Sequence, residues 1–371
     1  MARVIAGAAG RGRHMLIVAV AAVAAVWFAR TRTAGPPPSS LRPTAFEGET
    51  MGTTYRVLLA RVVPDDRRAE LERGVDSVLR DVNARMSTYD ETSELSRFNA
   101  RADTAAWSIS APLAFVLRTS ASVHAASSGR FDVTVGPLVD AWGFGPASRP
   151  QDTLADSVIA RLTQHVGMQW LELRDGAGGS TLAKRDLRVR VDLSAVAKGY
   201  GVDLVSDWLA ARGEPAHLVE IGGEMRARGR NAAGEPFRVG IEDADPDARR
   251  VRFAIGLEDL ALASSGNYRN WFVLNGRRYA HTIDPVLGRP VHHALLAASV
   301  LHPRCADADA WATALMVAGP DSAWALAQRE GLEVALLIAG PSGEVEERLT
   351  PGFAARRLSS PDQPPASRTR P

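Results

Sequence analysis

Hydrophobic positions along this chain alternate between two periods. TYRVLLARV (54–62) places apolar and polar residues in turn, as a half-buried strand does. From Asp65 to Met86 the apolar positions Leu71, Val75, Val78, Leu79 and Val82 share one face of a helix. Pro112 to Ala126 reads as a second helix, and the polar MSTYDETSELSRFNA between them reads as turn-rich loop. LRVRVDLS (187–194) predicts a strand that leads into a helix over SAVAKGYGVDLVSDWLAA. HLVEIGGEMRARGR (217–230) predicts two strands broken at Gly222-Gly223, and FRVGIED (237–243) and VRFAIGLED (251–259) continue as hairpin-like segments. Asp307 to Val317 is the last strong helix, with another over Ser322 to Glu330. Strands and helices mix without a βαβ rhythm, so the expected class is α+β, mixed sheets with packed helices.

The two ends differ from this body. Arg3, Arg11 and Arg13 precede MLIVAVAAVAAVWFA (15–29), a run without charge. That is the layout of an export signal, and the run is short for a bilayer-spanning helix of ~20 residues. Trp27 and Phe28 stand where interfacial aromatics would. Ala29 leads into RTRTAGPPPSS without a small-x-small cleavage motif. The expectation is therefore export, with residues 1–29 kept as a signal anchor in the inner membrane and cleavage as the alternative. Residues 30–43 read as a Pro/Ser-rich linker, 44–352 as the folded domain, and 353–371 as a disordered tail.

Charge follows the same division. The formal net charge is +2, but residues 1–42 carry +6 and 353–371 carry +3, which leaves the body at −7. An acidic body argues against nucleic acid as a partner. The single cysteine, Cys305, excludes a disulfide within the chain and any multi-cysteine metal site. The histidines form no HExxH-like zinc pattern.

Four segments could carry chemistry. DLSAVAKGYGVD (192–203) holds Lys198, one of only two lysines among 44 basic residues. A strand-to-helix junction of small residues lets a ligand approach the backbone, and Lys198 could meet a phosphate as a point charge. On a purely structural reading Lys198 is a solvated helix residue and the glycines mark a bend. In CADADAWATALMVAG (305–319), Asp309 and Thr313 are four apart and share a helix face. They are hard oxygen ligands suited to Mg²⁺, or else Asp307 is an N-cap and Asp309 a first-turn acid. YAHTIDPVLGRPV (279–291) sets His281 and Asp284 before a Pro turn, as an acid–base pair, a phosphate contact or an ordinary turn. In GRFDVTVGPLVDAWGFG (129–145), Phe131, Trp142 and Phe144 could stack on a flat ring or fill core.

Seven segments in order resemble the ApbE family of FAD:protein FMN transferases over about residues 44–350. They are MGTTYRV (51–57), MSTYDETSELSRFN (86–99), GRFDVTVGPLVDAWGFG, DLSAVAKGYGVD, HLVEIGGE (217–224), HTIDPVLGRPV and DADAWATALMVAG. The resemblance implies an exported enzyme that splits FAD with Mg²⁺, joins FMN to a threonine or serine of a partner flavoprotein, and releases AMP. The partner would be an exported or membrane-bound redox protein. It implies flavin contacts from Met51, Tyr89, Arg130, Phe131, Asp132, Asp192, Lys198 and Ile283. It also implies a metal held by Asp309, Thr313 and a backbone carbonyl, that of Ala195. His281 and Asp284 are the candidate catalytic residues. Many members are lipoproteins, but no cysteine follows the apolar run here, so lipid attachment is excluded. The alternatives are an FAD pyrophosphatase, with water replacing the acceptor, and a flavin carrier without chemistry.

Overall fold

The computed structural model describes residues 43–145, 152–245, 250–268 and 270–359. The expected anchor and linker, up to residue 42, and the tail from 360 lie outside the described residues. Strands β1 (Ala45–Thr50) and β2 (Thr53–Leu59) form a hairpin, and helix α1 (Asp65–Met86) follows. Helix α1 buries Leu71, Val75, Leu79, Val82 and Met86, with Asp65 and Asp66 in its first turn and Arg85 in its last, as the helix dipole favours. Helix α2 (Glu94–Ala100) comes next, then β3 (Trp107–Ile109), α3 (Ala111–Ala126), α4 (Gly136–Ala141) and α5 (Asp156–Thr163). The chain continues through β4 (Leu171–Gly176), β5 (Gly179–Lys184), α6 (Ala197–Ala211), β6 (His217–Ile221), β7 (Glu224–Arg228) and β8 (Phe237–Glu242). Strands β9 (Val251–Leu257), β10 (Leu260–Gly266), β11 (Trp271–Leu274), β12 (Arg277–Ala280), β13 (Ile283–Asp284), β14 (Arg289–Pro290) and β15 (Leu295–His302) follow. The C-terminal part is α7 (Cys305–Ala318), α8 (Pro320–Glu330), β16 (Glu333–Ala339), β17 (Val345–Leu349), α9 (Pro351–Ala354) and β18 (Arg357–Leu358).

The centre is an eight-stranded antiparallel sheet in the order β1-β2-β6-β7-β10-β15-β16-β17. Alternation gives it two apolar faces. Val57, Val219, Ile221 and Ala261 join the cores under α1, α6 and α7, whereas Leu218, Ala227, Leu262 and Leu301 pack with Phe237, Val239, Ile255 and Leu257. These last four belong to a three-stranded sheet, β18-β9-β8, laid on the second face. The fold is α+β, as expected.

Three local expectations are corrected. MSTYDETSELSRFNA is not all loop: Ser93 Oγ accepts from the Ser96 amide and caps α2, which buries Leu95 and Phe98. LRVRVDLS is not a strand. It makes one parallel bridge, Arg190 to Val135, and the Asn99 side-chain amide both donates to the Val191 carbonyl and accepts from its N–H, each at 2.8 Å. A side chain thus satisfies the backbone that a ladder would otherwise satisfy. The fold also runs past the expected boundary at 352. Phe353 is fully buried, its N–H bonds Glu333 at 2.9 Å, and β18 pairs with β9.

The second lysine is structural. Lys184 is buried, donates to the Asn99 carbonyl at 2.7 Å near the end of α2, and sits over the Phe98 ring. Burial, then the nearby Arg190 and Arg101, pushes it down to about 8.

Replacing Phe353 by alanine should lower the unfolding free energy by about 3–5 kcal/mol, the cost of emptying a buried aromatic site. Chemical denaturation of full-length protein checks this, and a chain truncated after 352 should lose at least as much.

Candidate active site

Helices α6 and α7 meet at a backbone contact. A Cβ at Gly199 would lie 2.4 Å from the Cys305 carbonyl oxygen, so only glycine allows the approach. Glycine in a helix interior costs about 1 kcal/mol relative to alanine, which this packing has to offset. Asp203, one turn further along α6, caps α7: its two oxygens accept from the Cys305 N–H at 2.9 Å and the Ala306 N–H at 3.0 Å. Arg226 donates to Asp203 at 2.8 Å. Asp307 therefore is not the N-cap that one reading allowed; it lies inside α7 and pairs with Arg304.

This junction sets the charged groups. Asp309, buried on α7, accepts from the Gly199 N–H at 3.0 Å. The Lys198 ammonium lies 3.7 Å from Asp309 and 3.2 Å from Glu224, the first residue of β7. Burial opposes the ammonium, but Asp309 and Glu224 outweigh it and hold its pKa above the usual lysine range. Burial likewise pushes Glu224 up, against the pull of Lys198 and with repulsion from Asp309. Lys198 therefore stays protonated. Glu224 Oε2 is buried and, though near Lys198, lacks the geometry of a hydrogen bond with any described residue.

These groups line a cleft of about 1730 Å³. Of the expected site residues, all but Met51 and Asp284 line it: Tyr89, Arg130, Phe131, Asp132, Asp192, Ala195, Lys198, His281, Ile283, Asp309 and Thr313. Met51 sits in the β1–β2 turn with φ +49°, and its methyl packs over Gly201, where a Cβ would meet it at 2.9 Å. Asp284 is buried and holds the β13–β14 turn by accepting from the Val286 and Leu287 N–H groups, with Arg130 3.4 Å away. Its oxygens are thus taken up by the turn and by Arg130, away from the cleft. Asp132 is also occupied by the fold, taking both bonds of Thr134 and lying 3.2 Å from His124. Asp192 takes the Ser194 N–H and hydroxyl on one oxygen. Trp142 is core, 5.4 Å from Tyr279 and bonded to the Gly288 carbonyl, whereas Phe131 and Phe144 reach the cleft.

His281 has a defined tautomer. Its Nδ1 lies 3.2 Å from the Asn270 carbonyl, which can only accept, so Nδ1 carries the hydrogen and Nε2 keeps a lone pair. Burial, and secondarily Lys198, lowers its pKa below the ordinary imidazole value. Neutral His281 is therefore the dominant form at neutral pH.

Could the site hold a cation? Among the described residues no group of three or more His, Cys, Asp or Glu is placed to hold one. A sparser set is present. Asp309 and Thr313 share a face of α7, the Thr313 hydroxyl makes no hydrogen bond among the described residues, and Ala195 lines the same cleft. The buried, unbonded Glu224 oxygen adds an acceptor. One carboxylate, one hydroxyl and a carbonyl suit Mg²⁺, which takes few protein ligands and completes its shell with water and substrate phosphates. The residues fit the ion.

The ApbE family model matches residues 51–337. The chain belongs to the ApbE family. Curated ApbE relatives include the FAD:protein FMN transferases of Haemophilus influenzae, 40% identical over 306 residues, and Vibrio cholerae, 38% identical over 296. The alignments cover 81% and 80% of this chain and 88% and 87% of those proteins. The solved flavin transferase ApbE from Vibrio cholerae superposes with a TM-score of 0.77 at 36% identity, covering 85% of this chain and 99% of that one. A Thermotoga maritima ApbE structure at 23% identity shows the same fold.

Sequence reasoning about this ApbE chain missed Glu220, Glu224 and Asp203. The two glutamates flank Gly222-Gly223 in HLVEIGGE, a segment read for its strand break and its family resemblance but not for its carboxylates. Their spacing around a glycine pair was the available signal.

Gly199→Ala should separate α6 from α7 and destabilise the fold by about 1–3 kcal/mol, the usual penalty of overpacking. Thermal unfolding measured with and without FAD checks this, and FAD binding should fall with it.

Proposed function

We propose that this chain is an FAD:protein FMN transferase that uses Mg²⁺. The observation that carries the reading is the Lys198–Asp309–Glu224 cluster at the α6–α7 junction, facing a cleft of about 1730 Å³. Support also comes from membership of a family whose named relatives carry that activity.

The chemistry balances as follows. An acceptor threonine hydroxyl attacks the FMN-side phosphorus of FAD, a new P–O bond forms, and the P–O bond to the AMP half breaks. The hydroxyl proton leaves to a base, and AMP departs with the pyrophosphate bridging oxygen. Such transfer depends on positioning and on charge neutralisation more than on covalent help. Lys198 supplies a fixed positive charge against the phosphates. His281, neutral with an open Nε2, is the residue suited to take the hydroxyl proton. Arg130 and the exposed Tyr89 stand at the flavin end, with the Tyr89 hydroxyl 3.3 Å from the Phe144 carbonyl. Bound Mg²⁺, held by Asp309, Thr313 and the Ala195 carbonyl, would neutralise phosphate charge as a Lewis acid. Asp284 acts by fixing the turn and Arg130, not as a base.

Residues 15–29 would anchor the enzyme in the inner membrane, with the catalytic domain on the periplasmic side beside an exported redox protein. Among the described residues no helix is long and apolar enough to cross a membrane, so any anchor lies outside them.

The deciding experiment incubates the enzyme with FAD and Mg²⁺ and follows AMP release and denaturation-resistant flavin fluorescence, with and without a threonine-bearing acceptor. Covalent flavin that requires acceptor and Mg²⁺ is the expected result. AMP release indifferent to acceptor would instead establish a pyrophosphatase, and tight FAD binding without AMP a carrier. Asp309→Ala should abolish Mg²⁺-dependent turnover while the fold persists; normal Mg²⁺ activation in that variant would sink the metal assignment. The rate should rise with pH through a pKa below that of free histidine, because only unprotonated His281 accepts a proton. In His281→Gln that acidic limb should disappear from the pH profile along with most of the activity.

A further inference from the structure

The cleft is not confined to one face of the large sheet. On β6 and β7, Ile221 pairs with Glu224, and Ile221 belongs to the core under the helices, so Glu224 projects toward Lys198 and Asp309. Glu220 pairs with Met225 on β7 and with Arg56 on β2, and Met225 belongs to the core beneath the three-stranded sheet. Neighbouring strand residues point to opposite faces. Arg56 and Glu220 therefore lie on the far face, yet both line the same cleft as Lys198. Gly222 and Gly223, with φ +61° and +109°, form the turn that the cleft passes around, and the Gly223 N–H donates to Glu220 at 2.7 Å.

The far-side arm has its own character. Ser264 follows Leu262 on the far face of β10, an inner strand, and is nonetheless exposed, so the sheet is uncovered there. The arm is bordered by β8, the outer strand of β18-β9-β8. Residues 238 to 242, five in succession, line the cleft. Residues 250 to 254, at the start of β9, line it too, so both strands flank the arm, and of the two only β8 is an outer strand of its sheet. An outer edge carries unpaired N–H and C=O groups, ready to pair with another chain. Arg56 and Arg238 form no ion pair within 4 Å among the described residues, whereas Arg250, Arg252 and Arg357 each hold a carboxylate. Glu220, buried at the inner end, is raised by desolvation to about 7.

Resting on the transferase reading above, we propose that this far-side arm is the docking groove for the acceptor protein. An extended acceptor segment adds as a strand along the outer edge of β8, turns acidic side chains to Arg56 and Arg238, and delivers its hydroxyl around the Gly222-Gly223 turn to the phosphates near Lys198. A transferase needs two entries, and the candidate flavin and metal residues on α6 and α7 occupy the helix-side arm. The donors and acceptors of a strand edge repeat at peptide spacing, which a polypeptide matches and a dinucleotide does not.

The test uses the full chain with FAD, Mg²⁺ and the flavin-accepting domain of a redox protein. Arg238→Glu reverses an exposed charge, and Ser264→Trp fills the open sheet face. Both variants should keep FAD affinity and acceptor-free AMP release. Each should raise KM for the acceptor about tenfold, the scale of one lost charge contact or blocked subsite. Amide exchange across 238–242 should slow when acceptor is added to native enzyme. Unchanged acceptor KM in both variants would overturn the proposal, as would a loss of FAD affinity in its place, which would assign the arm to the nucleotide. Failure of native enzyme to label any acceptor would instead refute the transferase reading itself, and the two failures are thus told apart.

Discussion

Everything in the site depends on how closely α6 approaches α7. The missing side chain at Gly199 lets one helix backbone touch the other, and the Gly199 N–H then becomes a donor to Asp309. Asp203 locks the same junction from the next turn by accepting two N–H groups that α7 cannot satisfy internally. Burying Asp203, Asp309 and Glu224 beside the half-buried Lys198 is costly, and the cost is met because each charge finds an opposite charge or a backbone donor. A shift of α7 would misplace Asp309 and Thr313 together, since both ride on that helix.

The large sheet supplies the second constraint. The two-residue turn pairs Ile221 with Glu224, so alternation between Glu220 and Ile221 puts the two glutamates on opposite faces, one serving Lys198 and the other facing Arg56. The Gly222-Gly223 turn joins the faces, and the glutamate on the far side holds that turn closed. An enzyme that must bring a dinucleotide and a protein side chain to one phosphorus atom gains from such an arrangement. On the proposed reading each substrate would enter along its own face and meet the other at the turn.

Legibility in the sequence followed physical range. Helix α1 and the strands around Gly222-Gly223 were readable because apolar periodicity is local and burial on one face is enough to specify them. The segment 187–194 has the composition of a strand but takes its partner from Asn99, nearly a hundred positions earlier, and no local pattern reports that. The same holds for the C-terminal boundary, where Phe353 is ordered by Glu333 and by a pocket assembled from other strands. Asp284 looked like half of an acid–base pair, but its backbone partners make it a turn-former.

By itself, the sequence determined the α+β class and the main helices through local spacing, and its ordered motifs pointed to the family and to residues of which all but Met51 and Asp284 line the cleft. Tertiary structure alone decided which carboxylates surround Lys198, that His281 keeps its Nε2 lone pair, and that the cleft has two arms. Those outcomes depend on which distant backbone atoms a side chain meets and on which face of a sheet it points to. Neither exists until the strands have paired and the two helices have closed on Gly199.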